Sequence, residues 1–394
     1  MGYLTYTRLK ISESKYYLGL LFLFTLVSVG LISAYYMETR GHWITGMDNQ
    51  VIWGIPHVFA ITLIVASSGA LNIASLGSLF GRPEYKPFGR LSGLLAIGLL
   101  VGGLSILVLD LGRPDRLIVA MTHYNFTSIF AWNIFLYSGF LLIVAFYIWS
   151  MMERGKGKFT KAIASFAFFW RIALTTGTGL IFGFLIAREA YDSALMAPLF
   201  IAISLVLGLA IFCIIIALIE FCGKNTFQEC IWEKAKSLFL FFISANIYLT
   251  LVLHLTGLYA AEHSKFEGFI LLDGGIITAL FWLGQVTLGS FVPVVLLFTL
   301  IKINLKRRII VSSILAVFGC FIQVYVIIIG GQSQPLVLFP GVEVSSSFFD
   351  GNIDTYIPSF WEFGLGIGGS AFALTIIYIG LNLLNFIPID YKEE

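Results

Sequence analysis

Apolar residues run through this chain in long unbroken blocks, with polar and charged residues confined to the short stretches between them. Ten blocks stand out, at 17–37, 52–80, 89–109, 129–151, 163–187, 195–221, 237–260, 274–301, 309–330 and 360–387. Each reaches about 20 residues or more, the length a helix rising roughly 1.5 Å per residue needs to cross a hydrocarbon core of roughly 30 Å. Lipid offers no partner to a backbone N–H or C=O, so each block is predicted to be helical from end to end. The alternating pattern in segments of about ten residues that marks an outer-membrane barrel is missing. The pattern predicts an all-α integral membrane protein with about ten transmembrane helices.

Composition sharpens this reading. The chain is 58% hydrophobic and only 12% charged, with a mean hydropathy of +0.92, whereas a soluble domain carries about 25% charged residues. The formal net charge of +2 hides an asymmetry. When the connections are assigned alternately to two sides, 18 of the 24 Lys and Arg residues fall on one side. Five (Arg40, Arg113, Arg116, Arg188 and Lys265) fall on the other, and Arg171 lies inside a helix. Cytoplasmic loops collect Lys and Arg, so both termini are expected in the cytoplasm of a bacterial or archaeal cell, with the protein in its cytoplasmic (inner) membrane. The first apolar block is long enough to span and lacks a small-residue cleavage site, so no cleavable signal is expected.

The inventory of chemistry-bearing residues excludes several classes. Cys213, Cys222, Cys230 and Cys320 form no CxxC pair, so neither a zinc site nor an iron–sulfur cluster is supported. Of the five histidines only His57 and His254 fall inside predicted spans, each alone on its helix. A b-type haem between them is geometrically open, but a single helical histidine is more often a hydrogen-bonded structural residue, and no haem is expected. No nucleotide-binding glycine motif and no nucleic-acid-binding patch occurs.

Ionisable groups are sparse at mid-span and gather at the outward ends. His57 follows Trp53, Gly54 and Pro56 at the start of the second block. Asp110 closes the third, at the head of the stretch LDLGRPDR. His123, Tyr124 and Asn125 precede the fourth, and Arg188, Glu189, Tyr191 and Asp192 close the fifth. If the second to fifth helices pack as an antiparallel bundle, as short connections favour, these groups converge on one mouth, apolar below and polar above. A quinone suits such a mouth. Its tail needs an apolar slot, and its head group needs hydrogen-bond partners and a titratable proton acceptor with a path to water. The competing reading is structural: Asp110, Arg113, Asp115 and Arg116 as an interfacial stop with local ion pairs, and Gly112 with Pro114 as an ordinary helix termination.

The second half is less informative. His254, Tyr259, Glu262, His263 and Asp273 are open to reading as another polar mouth or as solvated loop charges. Asn72, Asn133, Asn246, Gln285 and Gln323 are expected to hydrogen-bond between helices. Arg171, placed near the inner end of the fifth helix, either snorkels or terminates a proton path. No series of carboxylates crosses the membrane, so the sequence does not support a proton pump.

Three stretches carry a family resemblance. HVFAITLIVASSGALN, then FGRPEYKPFGRLSGLLAIGLLVGGLSILVLDLGRPDR, then FTSIFAWNIFLYSGF resemble the NrfD/PsrC family of quinone-interacting membrane subunits. PSFWEFGLGIGG at the last helix resembles it more loosely. The resemblance implies two four-helix bundles plus one flanking helix at each end. The divisions are then 1–51 for the first flanking helix and its outer loop, 52–194 for a quinone-binding bundle, 195–330 for a second bundle, and 331–394 for an outer loop and the last helix. It also implies a catalytic pair, His57 and Asp110, with Arg113 matching the arginine of the LGRP motif. Tyr124, Asn125, Arg188 and Glu189 join the quinone-binding candidates by position in the band alone.

By the same resemblance, menaquinone or ubiquinone is the bound substrate, no haem or cluster resides in this chain, and an extracytoplasmic, ferredoxin-like iron–sulfur subunit docks outside. The stretches GHWITGMDNQVIWGIPH and GGQSQPLVLFPGVEVSSSFFDG look similar to the membrane subunit of Dsr-type complexes of sulfur metabolism, which implies further membrane and cytochrome partners. The loop 331–359, with no Lys or Arg and with Phe348 and Phe349, is expected to form part of the docking surface. Two rivals stand beside this reading: a secondary transporter and a purely structural membrane anchor.

Overall fold

The computed structural model of the protein describes residues 5–153, 157–223, 227–299, 304–336 and 351–389. Ten of its helices are long and apolar enough to cross a membrane. We label them α1 (Glu13–Arg40), α2 (Ile55–Ser78), α3 (Gly89–Leu109), α4 (Ile129–Met152), α5 (Gly157–Gly183), α6 (Met196–Cys222), α7 (Glu229–Tyr259), α8 (Ile276–Phe298), α9 (Leu305–Ser333) and α10 (Phe360–Leu383). The helices match the predicted blocks to within a few residues except where they continue past the apolar stretch. The largest extension is at α7, which starts eight residues before its block, at Glu229. The added turns carry good helix formers, and Lys234 there pairs with Glu84 of the α2–α3 connection at 2.9 Å.

Helices α2 to α5 pack as one four-helix bundle and α6 to α9 as a second, joined where α2 lies against α6. The join is a backbone approach that only glycine permits. A Cβ on Gly69 would come within 1.6 Å of the Ser204 carbonyl oxygen, and one on Gly208 within 1.9 Å of Gly69. Small residues at a crossing let two helices gain van der Waals contact where lipid supplies no hydrophobic drive. The flanking helices α1 and α10 come from opposite ends of the chain but pack on each other, with α10 also against α2 and α3. As a result α2 is enclosed, with 89% of its most apolar stretch buried, against 17% for α1. Beyond the helices, Tyr6–Thr7 and Ile387–Pro388 pair antiparallel, so the two terminal segments meet at one end of the molecule.

Within the spans, Asn133, Asn246 and Gln323 hydrogen-bond between helices as expected: Asn133 to the Gly177 carbonyl and Asn246 to Gln323. Arg171 corrects the sequence reading. It lies near the middle of α5 and is 4% exposed, so it does not snorkel. Its guanidinium donates to Asn72 Oδ1 at 2.8 Å and lies over the Phe168 ring. Asn72 is near enough on α2 to hold the charge inside the bundle.

Candidate functional site

The chemistry gathers at the end of the bundles that is poor in Lys and Arg, where α2 begins and α3 stops. Helix α2 starts at Ile55 because Pro56 occupies its first turn, where a missing N–H costs nothing. That places His57 in the first turn, closer to the helix start than the apolar block suggested. Helix α3 stops on Asp110, whose N–H still bonds to the Ile106 carbonyl, and Gly112 at φ +68° turns the chain away. The Asp110 side chain is only 1% exposed. His57 Nδ1 lies 3.0 Å from Asp110 Oδ2, an ion-pair distance, but neither carboxylate oxygen has an aligned hydrogen-bond partner. A buried, imperfectly satisfied carboxylate is costly and calls for a reason.

The other face of Asp110 meets a residue the sequence reading did not select. His42 Nε2 lies 3.8 Å from Asp110 Oδ1 and 3.2 Å from the Asp110 carbonyl oxygen. His42 is in the short 3-10 turn His42–Ile44 after α1, outside the membrane-spanning segments. The Asp110 carboxylate beside it is the main reason its pKa is raised above the usual value, while partial burial opposes the rise.

His57 also lines a cavity of about 430 Å³ between α2, α3, α4 and α5. Its walls are apolar, among them Leu104, Leu107, Met121, Phe130 and Phe182. Its polar groups besides His57 are Asn133, Tyr137 and Ser138 of α4. Asn133 Nδ2 donates to the carbonyls of Ile129 and Gly177, but its Oδ1 has no partner among the described residues. The arrangement is a hydrogen-bonding imidazole at the mouth, a carboxylate behind it, and an unpaired amide oxygen deeper in an apolar slot. It can accept protons from a ring with two hydroxyls and seat the ring's apolar remainder. Asn133 and Tyr137 were missed as lining residues, although their spacing of four puts them on one face of α4.

The remaining candidates do not converge on this cavity. Arg113 is exposed, and its guanidinium forks onto Asp115 with both contacts at 3.0 Å. It therefore does not orient Asp110, because the neighbouring carboxylate two residues on captures the fork. Tyr124 packs its ring, tilted, against those of Phe126 and Phe135. Asn125 is exposed and caps its own turn, accepting from Thr127 N and Oγ1. Arg188 donates to the carbonyls of Gln332 and Gln50, tying the segment ahead of α2 to the end of α9. Glu189 belongs to the second bundle. Its carbonyl contacts His263 Nδ1, and it borders a separate cavity of about 170 Å³.

The second cavity also holds a buried pair, His254 Nδ1 to Glu267 Oε2 at 2.6 Å. Each of the three π-helical stretches among the described residues, Phe269–Asp273, Leu280–Phe291 and Val326–Gly330, contributes to its wall. The polar band expected to converge on one mouth of the first bundle is thus shared with a second cavity, which Glu189, Tyr191 and Asp192 line together with His254 and His263. Of the residues proposed for the first, the structure brings together His57 and Asp110.

The segment leading into α2 is held by a second buried carboxylate. Glu362, fully buried at the start of α10, accepts from Gly46 N, Ser359 N and the Tyr356 hydroxyl at 2.8, 2.7 and 2.5 Å. The same Tyr356 oxygen accepts from Ile55 N. Ser359 and Glu362 form a capping box, a pattern visible in the sequence as S-x-x-E ahead of an apolar run. Of the loop 331–359, residues 337–350, including Phe348 and Phe349, lie outside the described residues.

The family model described as "Polysulphide reductase, NrfD" matches residues 43–335. That span includes His57, Asp110 and every residue lining the first cavity, and begins directly after His42. The protein is 29% identical to the Hdr-like menaquinol oxidoreductase integral membrane subunit of Archaeoglobus fulgidus, over 97% of this sequence and 96% of that one. It is 28% identical to a putative dimethyl sulfoxide reductase membrane subunit of Halobacterium salinarum, over 93% and 90%. Against a polysulfide reductase polypeptide of Wolinella succinogenes it is 25% identical, over 63% and 83%.

Proposed function

The chain belongs to the NrfD family of polysulphide reductase membrane proteins, and from that premise we propose that it is the quinone-reactive membrane subunit of a respiratory oxidoreductase complex. The observation that carries the reading is the carboxylate-backed imidazole of His57 at the mouth of the apolar 430 Å³ cavity. A quinol hydroxyl donates to His57 Nε2, the nitrogen not engaged by Asp110. Asp110 fixes the tautomer of His57 and accepts the Nδ1 proton of the imidazolium that forms. Asn133 Oδ1 is the available acceptor for a hydroxyl deeper in the slot. Oxidation of one quinol releases two electrons and two protons. The electrons pass to an iron–sulfur partner subunit, and the protons leave at the end where His57 lies. Quinone reduction runs the same steps backwards.

The charge asymmetry supports the Lys- and Arg-rich end as cytoplasmic, which makes the His57 end extracytoplasmic. Exposed apolar side chains at that end, including Trp43 at 79% and Ile357 at 77% exposure, support a docking surface there for the iron–sulfur partner. The stretches resembling Dsr-type subunits support a place in sulfur metabolism, with menaquinone or ubiquinone as the substrate.

The test is quinol oxidation by the intact complex. His57→Ala and Asp110→Asn should each slow turnover by about 100-fold or more, the size of a general acid–base contribution, while the complex stays assembled. The double variant should be little slower than either single one, because the two act on one proton. Full turnover in Asp110→Asn at every pH would return Asp110 to a structural helix end.

A further inference from the structure

We propose that His42 is the proton-transfer residue connecting Asp110 to water at the Lys- and Arg-poor end, completing a relay His57–Asp110–His42. This rests on the reading of the first cavity as a quinone site. The Asp110 carboxylate is divided between two imidazoles: Oδ2 faces His57 on the cavity side and Oδ1 faces His42 on the other. At 1% exposure the Asp110 side chain has no direct contact with solvent to speak of, whereas the His42 side chain is 31% exposed. A proton that reaches Asp110 from the cavity therefore has His42 as its nearest titratable outlet.

The position of His42 is built. Gly41 at φ +87° turns the backbone off α1. Thr45 then locks the turn, its N–H and its hydroxyl both donating to the His42 carbonyl at 3.0 and 2.6 Å. Across from the ring is Gly112, in the left-handed region at φ +68°, where an added Cβ would lie 3.1 Å from His42 Cε1. Glycine at 112 thus serves both the turn after α3 and the slot for the imidazole. The 3.8 Å from Nε2 to Oδ1 exceeds general-base reach, roughly 3.2 Å, by about half an ångström, which a small rotation of the ring removes.

The steps balance in protons. The quinol hydroxyl gives its proton to His57 Nε2, and His57 gives one from Nδ1 to Asp110 Oδ2. The neutral Asp110 carboxyl turns to present that proton from Oδ1, His42 in its Nδ1–H tautomer swings Nε2 from the Asp110 carbonyl onto Oδ1 and accepts it, and His42 releases its Nδ1 proton to water; both rings then recover their starting tautomers by exchange with water. The electrons leave separately to the iron–sulfur partner. The charged and titratable groups around His42 are Asp110 with Arg113 and Asp115 on the same turn, Glu38 and Arg40 at the end of α1, and His57 across Asp110. Asp110 and Glu38 favour the protonated ring, so the relay receives a proton readily and releases it fastest at alkaline pH.

The experiment is steady-state quinol oxidation by the complex carrying His42→Ala or His42→Gln, with and without added imidazole. We expect kcat to fall at least about tenfold in both, with KM for quinol unchanged and the loss greatest at high pH, where the wild-type ring is neutral and able to accept a proton. Imidazole should restore His42→Ala, whose cavity admits it, and leave His42→Gln slow. Unchanged turnover in both variants, while His57→Ala and Asp110→Asn remain slow, would overturn the relay and leave the quinone site standing. A His42→Ala defect that imidazole does not restore, or a defect in either variant that appears as a raised KM, would make His42 a structural support and also overturn it. If His57→Ala and Asp110→Asn turn over normally, the quinone reading itself fails.

Discussion

Asp110 shows how one side chain acquires a function from its surroundings. The apolar run before it and the turn after it are legible in the sequence, and together they single out a carboxylate at a membrane boundary. Which neighbours it takes is not legible. Arg113, three residues on, is the obvious partner by spacing, yet its guanidinium goes to Asp115 in the open. His42, 68 residues earlier, is the neighbour that packs against it, and no local pattern announces a contact of that range. Arg113→Gln should leave the pH profile of quinol oxidation unmoved, because its guanidinium is committed to an exposed pair with a second carboxylate, an interaction that carries little weight in water. A shift of the acid limb in that variant would place the arginine back on Asp110.

At the scale of elements, the start of α2 is set by contacts from α10 and the end of α9 rather than by α2 alone. Gln332 Oε1 accepts from the N–H groups of Ile52 and Trp53, and Glu362 with Tyr356 holds Gly46 and Ile55. The seat of His57 is consequently remote from its own sequence. Glu362→Ala would leave two backbone N–H groups and a buried hydroxyl without their acceptor, at a cost on the order of 3 kcal/mol. Thermal unfolding of the detergent-solubilised complex should show a lowered midpoint, with Glu362→Gln intermediate because an amide oxygen still accepts. A midpoint equal to wild type in Glu362→Ala would mean that the segment ahead of α2 is held by Arg188 and Gln332 alone. The helices themselves were readable from block length, since lipid enforces helix wherever apolar residues persist. Their polar extensions and the π-helical turns of α8 and α9 were not, because hydropathy carries no signal for either.

For the whole molecule, composition and block count were enough to give ten membrane-spanning helices, but not which of them touch. The pairing of α1 with α10 and the glycine contact of α2 with α6 depend on residues more than a hundred positions apart. That tertiary arrangement decides the site: it splits the polar band into two cavities and assigns His57 and Asp110 to the larger, more apolar one. The central claim is that this cavity, and not the one bordered by His254 and Glu267, receives the quinone head group. The most direct measurement is photolabelling of the membrane-bound complex with an azido-substituted quinone, followed by mass-spectrometric mapping of the modified peptides. The account predicts label on residues of the first cavity, such as Met121 or Leu107, displaced by excess unlabelled quinone and lost when Leu107→Trp fills the slot. Label confined to the wall of the second cavity, or label at the first that Leu107→Trp leaves unchanged, would contradict it.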